Sequence, residues 1–167
     1  LAARAAASPL LKGAVVSQEF LGDVGRAVAR CVDGNDARLI ASMPAVLDAL
    51  VARDGAVLVP FADACAAPPR GLFVVALEAL ATFSQIGLDD DARADLARAC
   101  AQLVRHTLPA CRRSPAVQAV LADRLPRAAT ALLRGGAPEA EALLRCLIEV
   151  MWVPSQGDED LVEELRR

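Results

Sequence analysis

An all-α fold is what this sequence predicts, and three observations carry the expectation. Ala, Leu, Val and Arg dominate the 167 residues, Tyr is absent, and aromatic residues make up 3%. Sheets favour β-branched and aromatic side chains, so this composition favours helices packed through small residues. Apolar residues reach 55% of the chain, enough for a sizeable core and outside the range of disordered chains. The third observation is the stretch 71–87, GLFVVALEALATFSQIG, in which Glu78 is the single charge. A helix apolar on every side belongs inside a fold. At about 15 residues it is too short to cross a bilayer, which takes roughly 20. It is read as a central buried helix, stopped by Pro68 and Pro69 before it and Gly87 after it.

Taken in order, residues 1–16 read as a lead-in, weakly helical or disordered. They lack a basic start, so no secretory signal is expected, and a domain over 17–167 is expected to begin inside a longer chain. Ser17 suits a helix N-cap, with Val16 and Leu21 at the spacing of a hydrophobic staple. The helix that follows carries Phe20, Leu21, Val24, Val28 and Cys31 on one side and ends at Asp33-Gly34. Asn35 or Asp36 caps a short helix through Leu39 and Ile40, and Pro44 starts another, ending near Asp54-Gly55. The apolar segment 56–66 contains Pro60, so its helix is short or kinked. Beyond the central helix, Asp89, Asp90 and Asp91 open a long helix to about Thr107. Ala92, Leu96, Ala99, Cys100 and Leu103 form its apolar stripe, Asp95, Arg98, Gln102 and Arg105 its polar one, and Pro109 closes it. Ser114 and Pro115 begin a short helix to Leu121; Pro126 begins another to Arg134. After Gly135-Gly136, Ala140, Leu143, Leu144, Leu147, Ile148 and Met151 recur at helical spacing. Pro154 stops that helix, and a last amphipathic one covers 161–167.

Residues 35–52 and 114–134 share a grammar of short helix, break, proline, apolar helix. A spacing between Pro44 and Pro126 near twice forty points to a helical solenoid. The stretch LPRAATALLRGGAPEAEALLRCLIEVM resembles an armadillo repeat, with a proline opening the second helix, a glycine turn, and Pro-Glu opening the third. Residues 144–150 follow the apolar spacing of that family's Leu-Trp-Ala-Leu-Ala-Asn-Leu run. Residues 77–83 fit it too, and 26–31 more loosely. The resemblance implies a right-handed superhelical, armadillo-like solenoid, with its clearest repeats at 35–66 and 114–151. The segment 56–107 departs from a regular unit.

In peptide-binding armadillo proteins, the Trp and Asn of this run face a concave groove. The positions matched here are Arg26 and Arg30, Glu78 and Thr82, and Arg145 and Glu149. None is Trp or Asn, so the resemblance implies a binding surface of a different chemistry from the ladder that holds basic import signals. These six residues are the candidate partner-binding set, for a helix or extended segment bearing both charge signs. Trp152 is a further candidate, as an interface anchor or a cap on the core.

Other constellations read as structure. His106, between Cys100 and Cys111, matches no zinc spacing and complements a helix C-terminus. Asp89–91 lacks the alternation of a calcium loop and suits a helix first turn. Five cysteines, Cys31, Cys65, Cys100, Cys111 and Cys146, with no Cys-x-x-Cys pair, read as reduced core residues of an intracellular protein, cytoplasmic or nuclear. A net charge of −3 carries no footprint for nucleic acid. Neither a catalytic constellation, a cofactor, a metal nor a membrane span is expected. The expectation is therefore a non-enzymatic scaffold or adaptor that binds another protein. The alternatives are an all-α regulatory domain with an apolar effector cavity under the central helix, or a module for self-association.

Overall fold

A computed structural model describes residues 16–34, 36–52, 55–83, 91–111 and 113–134. Among them every regular element is helical. The order is α1 (Gln18–Asp33), α2 (Ala37–Val51), a 3₁₀ helix (Gly55–Phe61), α3 (Ala62–Ala66), α4 (Leu72–Phe83), α5 (Asp91–Cys111) and α6 (Pro115–Arg134). The all-α expectation holds for these residues.

Local chemistry starts each of the first two helices where the sequence places it. Ser17 Oγ accepts from the Phe20 N–H at 3.1 Å, and Asp36 Oδ1 accepts from the Leu39 N–H at 3.1 Å. Each side-chain oxygen satisfies a donor that the first turn leaves without a partner in the helix. Val16 is partly buried against the core, as a staple residue would be.

Three prolines do not break the chain where their local rule says they should. Pro44 lies inside α2, Pro126 inside α6, and α5 continues past Pro109 to Cys111. The breaks expected before Pro44 and Pro126 and at Pro109 are therefore corrected. An interior proline removes one backbone hydrogen bond. Against that stands a continuous apolar stripe. In α2, Ile40, Met43, Leu47 and Leu50 are all buried, on both sides of Pro44. In α6, Val117, Val120, Leu121, Leu125, Ala128 and Leu132 straddle Pro126 in the same way. Each large apolar side chain contributes about 1.5–3 kcal/mol when buried, so holding the stripe together outweighs one lost bond.

The core is built on α4. Leu72, Phe73, Val74, Val75, Ala76, Leu77, Ala79, Leu80 and Phe83 are buried, because α4 is packed by α1, α3, α5 and α6 at once. A regular relation runs through the other contacts. α1 lies on α4, α2 on α5, and α3 on α6. The first helix of each group of three also touches the second and the third. Two cross-links reinforce this order. On α5, Arg98 reaches Asp48 Oδ2 of α2 at 3.4 Å and Asp95 Oδ1 of its own helix at 3.4 Å. Arg98, expected in a polar stripe, is thus a half-buried tie between helices. Ser114 Oγ donates to Asp63 Oδ1 on α3 at 2.6 Å while accepting from the Val117 N–H at 3.2 Å.

Between α3 and α4 the chain doubles back through a tight corner. Ala67 N–H donates to the Ala64 carbonyl at 3.3 Å, Gly71 N–H to the Ala67 carbonyl at 2.7 Å, and the Pro68–Pro69 peptide is cis. Two glycines make the corner fit. A Cβ on Gly71 would stand 2.4 Å from the Cys65 carbonyl oxygen, and one on Gly25 of α1 would stand 2.6 Å from that of Arg70. Hydrogen alone fits there. No helix among the described residues is long and apolar enough to cross a membrane.

Candidate partner-binding surface

Of the seven residues singled out in the sequence, four lie among the described residues: Arg26, Arg30, Glu78 and Thr82. Arg145, Glu149 and Trp152 lie outside them, as do Asp89, Asp90, Arg112 and Cys146. Arg26 and Arg30 are exposed on α1, one turn apart, and Arg26 pairs with Asp23 of the same helix. On α4, Glu78 is the one exposed residue and Thr82 is partly buried. Glu78 Oε2 faces Arg124 Nη1 of α6 at 3.7 Å, with both side chains substantially open to solvent. An exposed pair of this kind contributes about 0–1 kcal/mol, so it orients Glu78 without locking it. The fold thus brings two of the three candidate pairs onto helices packed side by side. It directs Arg26 along its own helix and Glu78 across to α6.

A groove of about 640 Å³ opens beside Arg26. One wall is the first half of α1, with Glu19, Gly22 and Arg26. The other is the corner carrying Pro68, Pro69 and Arg70. Its floor is apolar: Leu21, Cys65 and Leu72 reach it and are otherwise buried. Gly25 lies against the Arg70 backbone, and Arg26 and Arg70 both line the groove. Both are exposed. Glu19 also lines the groove, two helical turns or about 10 Å before Arg26 along the backbone, and the Arg26 guanidinium folds back over Gly22. The groove meets α4 only at its opening residue, Leu72. Arg70 and the proline corner were legible in sequence only as a helix boundary. The contact that turns them into a wall comes from α1, far away in the chain.

The remaining reactive groups are arranged for packing. Cys31, Cys65, Cys100 and Cys111 are free and buried. Burial pushes the Cys31 thiol up to about 11, with Asp36 adding to the rise and Arg30 opposing it. Burial, assisted by Cys111, pushes Cys65 up to about 12. Cys100 and Cys111 are raised by burial too. A thiol held protonated is a weak nucleophile and a weak metal ligand. His106 is exposed on α5, and among the described residues no group of three or more His, Cys, Asp or Glu side chains is placed to hold a metal ion. No protein-family model, curated protein or solved structure matches this chain.

Proposed function

We propose that this chain is a helical-repeat interaction module of the solenoid type, which binds a segment of a partner protein along the surface carried by α1 and α4. The observation that carries the reading is the helix register: α1 on α4, α2 on α5 and α3 on α6. In stacked repeats each helix packs on its counterpart in the next unit, and the row of equivalent helices lines one extended face. The two runs that resemble the armadillo third helix, 26–31 and 77–83, fall on α1 and α4, which are neighbours in that register. Arg26, Arg30 and Glu78 then supply exposed charge of both signs along the row, and Thr82 a partly open hydroxyl. Charges at such a rim set partner choice and encounter rate more than raw affinity.

The test is photo-crosslinking from Arg30 and Thr82, each replaced in turn by a photoreactive amino acid, in cells that express the chain. One defined partner should be captured at both positions. Charge reversal by Arg26→Glu with Arg30→Glu should reduce its capture without lowering the melting temperature. Arg127→Glu, on α6 and 79% exposed, serves as the control. Equal capture by all variants, or no captured protein, sinks the proposal.

A further inference from the structure

We infer that Ser114 is a phosphorylation site, and that phosphate there releases α3 from α6. The residue lies in the short connection between α5 and α6, where the sequence reads Arg112-Arg113-Ser114-Pro115. Serine kinases select substrates by the charge pattern beside the hydroxyl. Arginines before the serine meet acidic pockets, and a proline after it has no backbone N–H to leave unpaired. Arg113 and Pro115 are exposed, and Ser114 between them is partly so. The other serines among the described residues are Ser17 and Ser42. Neither has arginine in the two positions before it or proline after it.

The same hydroxyl joins two helices. Ser114 Oγ donates to Asp63 Oδ1 on α3 at 2.6 Å and accepts from the Val117 N–H of α6 at 3.2 Å. In the transfer, Oγ attacks the γ-phosphorus of ATP and the bond from that phosphorus to the bridging oxygen breaks. ADP leaves with the electron pair, and the hydroxyl proton passes to the kinase's catalytic carboxylate. Oγ then has nothing to donate to Asp63. A charge of about −1.5 to −2 arrives where a carboxylate stands at hydrogen-bond distance, so an attraction between α3 and α6 becomes a repulsion. Within α6 the change has the opposite sign. Phosphate oxygens still accept from first-turn N–H groups and suit the positive end of the helix dipole. α6 therefore keeps its cap, while α3, five residues long, loses its tie to Ser114.

The test treats the whole folded chain with ATP and purified arginine-directed and proline-directed serine kinases, and maps phosphate by mass spectrometry. Phosphate should appear at Ser114, and that signal should vanish in Ser114→Ala. A second preparation carries phosphoserine placed at position 114 during translation. Its melting temperature should lie about 2–4 °C below that of the unmodified chain. Amide exchange should speed up over 62–66 and stay unchanged over 117–125. In Asp63→Asn, whose side-chain amide donates to phosphate, the same modification should cause no loss. A Ser114 that none of the kinases modifies overturns the site. An equal loss in the wild type and in Asp63→Asn, or no loss in either, overturns the release of α3.

Discussion

Two glycines one turn apart in α1 offer a test in which the same substitution should have opposite signs. Replacing glycine by alanine inside a helix gains about 0.5–1 kcal/mol, because alanine loses less backbone freedom on folding. At Gly22 nothing opposes that gain. The added Cβ would find the Arg26 Nη1 atom at 3.5 Å, an ordinary contact with the movable end of a side chain. At Gly25 the Cβ would stand 2.6 Å from the Arg70 carbonyl oxygen, with the Leu72 nitrogen at 3.5 Å. Both of those neighbours are backbone, held by the corner and by the first turn of α4. Forcing extra atoms into packed structure costs about 1–3 kcal/mol, which exceeds the propensity gain. Gly22→Ala should therefore stabilise by about 0.5–1 kcal/mol, and Gly25→Ala should destabilise by about 1–2 kcal/mol. Urea denaturation with a shared m-value would resolve the difference, and the two melting temperatures should separate by about 5 °C or more. If both variants gain stability equally, α1 does not lie against the Arg70–Leu72 backbone, and the groove wall it forms falls with it.

Two more outcomes follow from the same structure. Pro126 lies exposed in the interior of α6, where proline is about 3 kcal/mol less favourable than alanine, part of which is offset by its stiffening of the unfolded chain. Pro126→Ala should raise stability by about 1–2 kcal/mol, measured as the urea midpoint, and a loss would mean that the helix does not run through this position. The buried thiols bring a pH dependence whose sign is set by their raised folded values. Their contribution is fully present below the unfolded cysteine pKa of about 8.5 and is lost as pH rises toward about 11 for Cys31 and about 12 for Cys65. Stability should fall above pH 8.5 and fall less in a Cys31→Ala/Cys65→Ala variant. In a thiol-reagent assay Cys31, Cys65, Cys100 and Cys111 should react only once the chain is unfolded, and rapid reaction of any of them in the native protein would contradict their burial.

Much of the helix inventory was legible because its signals are local. Ser17 and Asp36 cap helices by a contact three residues long. The run 72–83 is apolar on every side and so required burial wherever it came to lie. Its one charge, Glu78, matches a groove-facing position of the armadillo run, and it is the one exposed residue of α4. The prolines misled for the converse reason. A rule about one hydrogen bond at Pro44 or Pro126 takes no account of a stripe of buried side chains that continues on both sides of the ring. Arg98 likewise read as surface charge, because its partner Asp48 belongs to another helix.

The sequence by itself determined the composition of the core, the helical class of the described elements and the position of the central helix. Each of these depends on side-chain chemistry repeated over a few turns. Tertiary structure alone decided which helix lies on which. It pressed Gly25 against the Arg70 carbonyl, and it made Arg26 and Arg70 line one groove. Those arrangements depend on contacts between segments far apart in the chain, which bury area and exclude side chains in ways that no local pattern records. The candidate charges on α1 and α4 came from the resemblance to an armadillo run, while the proline corner that walls the groove emerged only when the chain folded back on itself.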